Sequence, residues 1–204
     1  DSHFHLTNLG KRLDMLHLKK SNSSEEIAKL VLEKSKKIND NEWILGFGWD
    51  QTKWYNSEFP DNSLLNDLNI KQPVMLTRID GHSCWVNDNA LKLANLDTSI
   101  HIDGGDVIND CILIDNFMNP IQKSIPESND NMIQKWIKMA LDIIISRGIT
   151  NIHDAWQTSN MIKNIKLLIE KDEFPIRCYG MLASNDQKLI SKYFKEGHYN
   201  STYY

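Results

Sequence analysis

The feature that most restricts the fold of this sequence is a regular alternation of helical and extended segments after residue 127. Apolar residues recur at helical spacing in three stretches, and short hydrophobic runs separate these stretches. Strands that alternate with helices pair in parallel through helical crossovers, which predicts an α/β fold. The pattern leaves a doubly wound sheet and a barrel as alternatives. The predicted helices are a long one that Ser128 caps and that ends before Gly148, then 159–171 and 185–195, and the predicted strands are 149–156 and 175–182.

Residues 40–127 lack this regularity and mix short strands with short helices. We interpret them as an inserted small α+β segment. Before this segment, Ser23 and Glu26 form a capping box at the start of a helix that runs to about residue 38. The elements predicted within the segment are strands at 43–49 and 73–79, helices at 61–68 and after Asn87, a hairpin near 104–105, and one short helix within 113–124.

The composition is that of a soluble globular protein. Its 204 residues are 41% hydrophobic and 25% charged, which is enough apolar material for a core. The net charge is −4 and no basic face is evident, so we expect no nucleic-acid partner. No apolar run approaches the length of a membrane span, so we also expect no membrane partner.

The three cysteines, Cys84, Cys111 and Cys178, show no paired spacing and are predicted to be buried thiols. Free thiols favour a reducing compartment such as the cytoplasm. The chain begins at Asp1 without an initiator methionine, and we expect any targeting segment to lie upstream of it.

Two histidines at the start of the chain, His3 and His5, have the spacing of metal ligands on a strand. Side chains alternate along an extended strand, so both imidazoles would lie on one face, about 6.6 Å apart along the backbone. Neutral imidazoles that converge from the end of a strand can bind a divalent metal ion. On spacing alone, the alternative is a pair of surface histidines at a frayed terminus.

Other polar residues follow predicted strands, where functional groups collect in parallel α/β folds. We take six of them as candidates for a substrate pocket, and each has a structural alternative. His153 could be a core histidine and His82 a turn residue, whereas Arg78 could be the donor of a structural ion pair. Trp49 and Asp50 could form a pocket wall, or a half-buried aromatic beside a turn carboxylate. The six candidates are Trp49, Asp50, Arg78, His82, His153 and Asp154.

Several motifs that together span nearly the whole chain resemble one family in their order and spacing. They are DSHFH at 1–5, WILGFGWDQ at 43–51, FP at 59–60, PVMLTRIDGHSCWVN at 73–87, GG at 104–105 and GITNIHDA at 148–155. These stretches resemble the amidohydrolase superfamily, in the branch called amidohydrolase family 3, which includes N-substituted formamide deformylase-like enzymes.

This resemblance implies a (β/α)8 TIM barrel of the metal-dependent hydrolase type, with a segment inserted after its first strand. His3 and His5 match the family's first-strand metal ligands. By this analogy, 1–39 holds the end of barrel strand 1 and the following helix, 40–127 is the insertion, and 128–204 holds further β/α units of a partial barrel. The other metal ligands and the general-base aspartate are expected beyond residue 204. Trp156 departs from the family, in which glycine is common at this position, and is expected to narrow the pocket.

For the longer protein, the resemblance implies hydrolysis of an amide or formamide C–N bond in a small-molecule substrate. One or two divalent ions, zinc being expected, would activate the attacking water. A zinc site needs three or four ligands, so we expect the 204 residues alone to bind metal weakly or not at all and to be inactive. Uncovered strand edges and exposed apolar surface lead us to expect poor solubility or a homo-oligomer.

Two other functions compete with this interpretation. A metallophosphoesterase is suggested by the Asp1-x-His3 spacing, but the Gly-Asn-His that such an enzyme needs is absent from the sequence. The second is a non-catalytic α/β binding unit whose histidines carry no chemistry. Further strand–helix units with His and Asp at strand ends in the flanking reading frame would favour the hydrolase.

Overall fold

In the computed structural model, which describes residues 1–204, the chain forms two compact units. Unit 1 comprises Asp1–Asp14 and Glu127–Tyr204, and unit 2 comprises Met15–Pro126. The helices are α1 (Leu6–Asp14), α2 (Ser24–Ser35), α3 (Ser63–Asn66), α4 (Asp88–Leu93), α5 (Asn119–Ser124), α6 (Asp130–Ser146), α7 (Ser159–Glu170) and α8 (Gln187–Glu196). The strands are β1 (Leu16–His17), β2 (Ile44–Trp49), β3 (Val74–Arg78), β4 (Ser83–Val86), β5 (Gly105–Ile108), β6 (Ile112–Asp115), β7 (Asn151–Gln157) and β8 (Arg177–Leu182). None of these helices has the length and apolar character that crossing a bilayer requires.

Unit 1 is built on parallel strands, as the alternation predicted. β7 and β8 pair in parallel, and α7 is the crossover between them. The extended residues 1–5 run parallel to β7 along its other edge. There the Phe4 N–H donates to the His153 carbonyl (2.8 Å), and the Ala155 N–H donates to the Phe4 carbonyl (2.8 Å). The start of the chain is therefore a third parallel segment beside β7.

Helices cover one face of these strands. α6 buries residues at spacings of three and four, which gives it a continuous apolar side. Asn129 caps α6 by accepting a hydrogen bond from the Met132 N–H (3.0 Å), so the predicted cap at Ser128 is wrong. The buried core of the unit comprises Leu6, Ile133, Trp136, Ile137, Ala140, Leu141, Ile144, Ile152, Ile165, Leu168, Phe174, Ile176 and Cys178.

Helix α1 contacts α6 at a glycine. A Cβ atom added at Gly10 would lie 1.8 Å from the main-chain oxygen of Trp136. Because the obstructing atom belongs to the backbone, no change of rotamer can relieve this clash. Gly10 thus sets how closely the two helices approach.

Unit 2 contains one six-stranded mixed sheet in the order β1-β2-β3-β4-β6-β5. β1, β2 and β3 are parallel, whereas β4, β6 and β5 continue the sheet in antiparallel pairs. Apolar side chains are buried on both faces, which explains why its strands lack the alternation of a half-exposed sheet. On β3, for example, Val74 and Leu76 enter one core cluster and Met75 enters the other.

The observed division differs from the predicted boundary at residue 40. Unit 2 begins at Met15, because β1 pairs with β2, and Ile27 and Val31 of α2 are buried with Ile44. The other predicted boundary, between 127 and 128, lies within one residue of the observed change at Pro126.

Several elements were missed or misplaced in the sequence. α1, whose leucines have helical spacing, and β4, which follows the turn at 80–82, are not among the predicted elements. The short helix predicted within 113–124 is α5, which follows the end of β6 and a single 3₁₀ turn (Asn116–Met118). The predicted burial of all three cysteines is confirmed, and burial raises the pKa of each thiol to about 12.

We expect the Gly10→Ala substitution to lower the free energy of unfolding of the chain by about 1–3 kcal/mol, because overpacking against a fixed backbone outweighs the helix propensity of alanine. Asn8→Ala, at an exposed position of the same helix, serves as the control and should change stability by less than about 0.5 kcal/mol. Urea unfolding followed by circular dichroism measures both. Equal stabilities of the two variants would contradict the close contact.

Candidate functional site

His3 and His5 lie on the same face of unit 1, as their spacing predicted. Their ring centroids are 5.1 Å apart, with an angle of 83° between the ring planes. Phe4, between them, packs against the core, so both imidazoles point to the opposite face of the strand and are exposed. The two rings therefore converge on the open side of the parallel strands.

A backbone contact defines the tautomer of His5. Its Nδ1 lies 3.1 Å from the carbonyl oxygen of Ala155 on β7. A carbonyl oxygen only accepts hydrogen bonds, so Nδ1 must carry a proton when this bond forms, and in the neutral tautomer with that proton the lone pair is on Nε2. Metal-binding histidines typically have their second nitrogen engaged in this way.

Asp154 holds the backbone behind the histidine pair. Its carboxylate is 2% exposed, and Oδ1 accepts a hydrogen bond from the Leu6 N–H (2.7 Å), the first residue of α1. Burial raises the pKa of this carboxyl group, and the hydrogen bonds from Gln157 and Leu6 and the proximity of His5 oppose that shift. The carboxylate also lies at the positive end of α1, where a negative charge is favourable.

A buried polar network supports Asp154. The Gln157 amide Nε2 donates to Asp154 Oδ2 (2.7 Å), and the Tyr204 hydroxyl donates to Gln157 Oε1. Gly180 faces Asp154 on β8, and a Cβ atom there would lie 2.3 Å from Gln157 Oε1. The absence of a side chain at Gly180 leaves the room that this network occupies.

His153 and Tyr179 face the same side of the strands as the histidine pair, by alternation along β7 and β8. Their ring centroids are 5.3 Å apart, and the Tyr179 side chain is 60% exposed. Of the pocket candidates in unit 1, His153 is thus the one whose side chain lies on the face of His3 and His5.

Trp156 lies at a β-bulge near the end of β7, with φ of 63° and 49% of its surface exposed. An aromatic residue in this left-handed region carries strain of about 1–3 kcal/mol, whereas glycine adopts it freely. The positive φ at this position explains why glycine is common there in the family that the sequence resembles.

In unit 2, polar side chains meet at the edge of the sheet where β2 and β3 end. The Arg78 side chain is 18% exposed, and it pairs with Asp80 and lies 3.7 Å from Asp50. Its Nε donates to Gln51 Oε1 (2.8 Å). The guanidinium is surrounded by internal acceptors, which matches the structural alternative for this residue.

His82 is the exposed end of this cluster. Its Nδ1 lies 2.8 Å from Asp115 Oδ1, and its backbone N–H donates to Asp80 Oδ1 (3.0 Å). The Asp115 N–H donates to the His82 carbonyl (2.9 Å), and Asp115 adopts a φ of 47°. The hydrogen bond to Asp115 and its charge raise the pKa of His82.

Two of the predicted pocket residues are placed differently from expectation. Trp49 is fully buried, and its Nε1 donates to the Leu76 carbonyl (2.7 Å), so it is a core residue of unit 2. Asp154 faces the packed side of β7 and does not line an open pocket. Asp50 caps the 3₁₀ turn after β2 through the Thr52 N–H (3.2 Å), in agreement with a turn carboxylate.

Three residues of these clusters were not recognised in the sequence: Asp115, Gln157 and Tyr204. Asp115 pairs with His82, 33 residues away, and Tyr204 pairs with Gln157, 47 residues away, whereas Gln157 contacts the nearby Asp154. Gln157 follows the GITNIHDA stretch closely, and this was the only available signal.

A model of the amidohydrolase family matches residues 1–202 of the chain. The chain belongs to this family. Among curated proteins, it is 25% identical over 191 residues to YtcJ of Bacillus subtilis (strain 168), which is named as a candidate amidohydrolase. It is 27% identical over 163 residues to the protein LONG AFTER FAR-RED 3 of Arabidopsis thaliana. The matches cover 88% and 76% of this chain but only 36% and 27% of the relatives.

Two solved structures share the fold of this amidohydrolase-family chain. They are uncharacterized metal-dependent hydrolases from Pyrococcus horikoshii OT3, with a TM-score of 0.74 and 23% identity, and from Pyrococcus furiosus, with 0.75 and 24%. Each match covers 100% of this chain, and 40% or 41% of the solved one. The chain therefore has the mixed α/β fold seen in part of those hydrolases.

We expect the Asp154→Ala substitution to destabilise the chain by about 2–4 kcal/mol, because it leaves the Leu6 N–H and the Gln157 amide without their buried acceptor. Asp154→Asn keeps an acceptor for Leu6 and should cost about 1 kcal/mol. Urea unfolding measures both losses. If Ala and Asn cost the same, the hydrogen bond to Leu6 does not stabilise this unit.

For His82 we expect a pKa above its ordinary value of 6.5, and a lower pKa in the Asp115→Asn variant. Because the pKa is raised in the folded chain, the pair stabilises below about pH 6.5, and this contribution is lost as the pH rises through the raised pKa. A proton NMR titration of the His82 ring gives the value. Asp106→Asn, on β5, is the control and should leave it unchanged; a pKa that is the same in all three proteins would refute the pairing.

Proposed function

We propose that this chain contributes the first part of the active site of a metal-dependent amidohydrolase, with His3 and His5 as two ligands of a divalent ion, zinc being our choice. The observation that carries the proposal is the convergence of the two exposed rings beside the backbone contact of His5. Membership of the amidohydrolase family and the shared fold with metal-dependent hydrolases support it.

The histidine pair fits such an ion. Two imidazoles bound to one tetrahedral ion at about 2.1 Å would place their ring centres about 5 Å apart. The observed separation is 5.1 Å. No group of three or more His, Cys, Asp and Glu side chains within residues 1–204 is arranged to hold a metal, so these residues supply two ligands of a larger set.

When bound, a divalent ion polarises a carbonyl group and activates water for attack on it. The chain's own residues orient the ligands. The Ala155 carbonyl accepts a hydrogen bond from Nδ1 of His5, so that Nε2 faces outward. Asp154 accepts the backbone N–H of Leu6, the residue after His5, and so fixes the main chain beside this ligand. We propose that His153 and Tyr179, whose ring centroids lie 5.3 Å apart on the same face, contact the substrate.

We further propose that the complete protein hydrolyses a C–N bond of amide or formamide type in a small molecule. The parallel arrangement of residues 1–5, β7 and β8, with helical crossovers, supports a partial (β/α)8 barrel. The exposed aromatic side chains of Trp156 and Phe194 support association of copies of this chain. The acidic net charge supports a small-molecule substrate over nucleic acid or an anionic membrane as the partner.

The competing functions have less support. A metallophosphoesterase requires a different ligand set, and the match of residues 1–202 to the amidohydrolase family favours an amidohydrolase over a phosphoesterase. A non-catalytic binding unit would not need the ordered tautomer of His5 or the buried carboxylate behind it.

To test the metal site, the chain is titrated with Co²⁺ while proton NMR follows the ring signals of its seven histidines. We expect weak binding, because two ligands make an incomplete site, and we expect paramagnetic broadening of His3 and His5 first. The His3→Ala/His5→Ala variant should lose about tenfold or more in affinity.

The matched control is His101→Ala/His198→Ala, which removes two exposed histidines elsewhere. It should bind Co²⁺ like the parent chain. Equal broadening of His101 and His198, or an equal loss of affinity in both double variants, would contradict the assignment.

A further inference from the structure

An open cleft of about 250 Å³ lies between α7 and α8 in unit 1. All of the charged side chains that line it are lysines: Lys163 and Lys166 from α7, and Lys188 and Lys192 from α8. The chain as a whole carries 27 acidic and 23 basic residues, so this concentration of positive charge is local. It is separate from the face that carries His3 and His5, since it is formed by the helices and not by the strands.

The arrangement of the lysines is unfavourable without a ligand. Lys163 and Lys166 are three residues apart on α7, and Lys188 and Lys192 are four apart on α8, so each pair lies on one side of its helix. Like charges at these spacings destabilise a helix. The two pairs also line one cleft, which adds repulsion between the helices.

Nearby acids neutralise this charge only in part. Asp130 pairs with Lys163, whereas Glu196 lies 3.9 Å from Lys192, beyond hydrogen-bonding distance. Asp186 accepts hydrogen bonds from the Ser159 hydroxyl (2.7 Å) and the Leu189 N–H (3.0 Å), and the charge of the nearby Lys188 contributes to the lowered pKa of this carboxyl group.

The Tyr193 hydroxyl adds a hydrogen-bond donor to the cleft. Lys166 is held in place, since its Nζ lies 3.6 Å from the ring centroid of Tyr199 and donates to the Tyr193 hydroxyl (3.2 Å). That hydroxyl accepts from Lys166 and keeps its own proton to donate. Ile162 and Leu189 provide an apolar floor.

We propose that this lysine cleft binds a small multivalent oxyanion, such as a phosphate ester or a polycarboxylate. Lysine ammonium groups and one hydroxyl that line the same cleft suit a ligand with several charged oxygens. The volume is below the 300–1,000 Å³ common for pockets of drug-sized ligands, so the anionic group itself, with a short carbon chain, fills it.

The test is isothermal titration calorimetry of the chain with inorganic pyrophosphate and, in a second arm, with citrate, at constant ionic strength. We expect saturable one-to-one binding of one or both anions. Tighter binding of pyrophosphate identifies a phosphate site, and tighter binding of citrate identifies a polycarboxylate site. Binding of neither anion overturns the proposal.

Two variants with matched charge locate the binding. Lys188→Gln/Lys192→Gln should weaken binding of the preferred anion by about tenfold or more, because it removes two charge-assisted contacts. Lys29→Gln/Lys37→Gln removes the same charge from exposed positions of unit 2 and should weaken it less than about twofold. Tyr193→Phe, which keeps the ring and removes the donor, should weaken binding about threefold or more. An equal loss in the two lysine variants shows attraction by net charge alone and overturns the site.

Discussion

The hydrogen bond from the Leu6 N–H to the buried carboxylate of Asp154 is the contact on which the arrangement of unit 1 depends. It joins the beginning of the chain to a strand about 150 residues later, at the point where an extended segment becomes a helix. The backbone pairing of Phe4 with His153 and Ala155 then sets the register. With that register, alternation alone directs His3 and His5 to one face and Phe4 to the core.

This contact also explains a division of roles between neighbouring residues of β7. His153 and Ala155 face the histidine pair, one with its ring and the other with the carbonyl that orders His5. Asp154 lies between them and faces the packed side, where Gln157 and Tyr204 complete its hydrogen bonding. A carboxylate that the sequence suggested as a pocket residue is thus a positioning residue. Its burial raises its pKa, so the surrounding donors must offset the cost of a buried charge.

Much of the architecture could be predicted from the sequence because local signals agreed with it. The 3.6-residue spacing in α6 and α7, the caps at Ser23 and Asn87, and the alternation of strands with helices all lead to the observed elements. The like orientation of His3 and His5 also followed from strand geometry. What could not be predicted depended on contacts distant in sequence: the pairing of β1 with β2, the burial of Trp49, and the partnership of His82 with Asp115. Neither spacing nor composition encodes which residues meet across about 30 positions of the chain.

The central claim is that His3 and His5 bind one metal ion while Nδ1 of His5 keeps its proton and donates a hydrogen bond to the Ala155 carbonyl. Anomalous diffraction at the zinc edge, from crystals of the chain soaked in zinc, tests it most directly. We predict that the main anomalous peak, at the partial occupancy expected of a two-ligand site, lies between the two rings, on the Nε2 side of His5, with the Nδ1 contact to Ala155 intact. Zinc at other histidines only, or bound through Nδ1 of His5, would contradict the account.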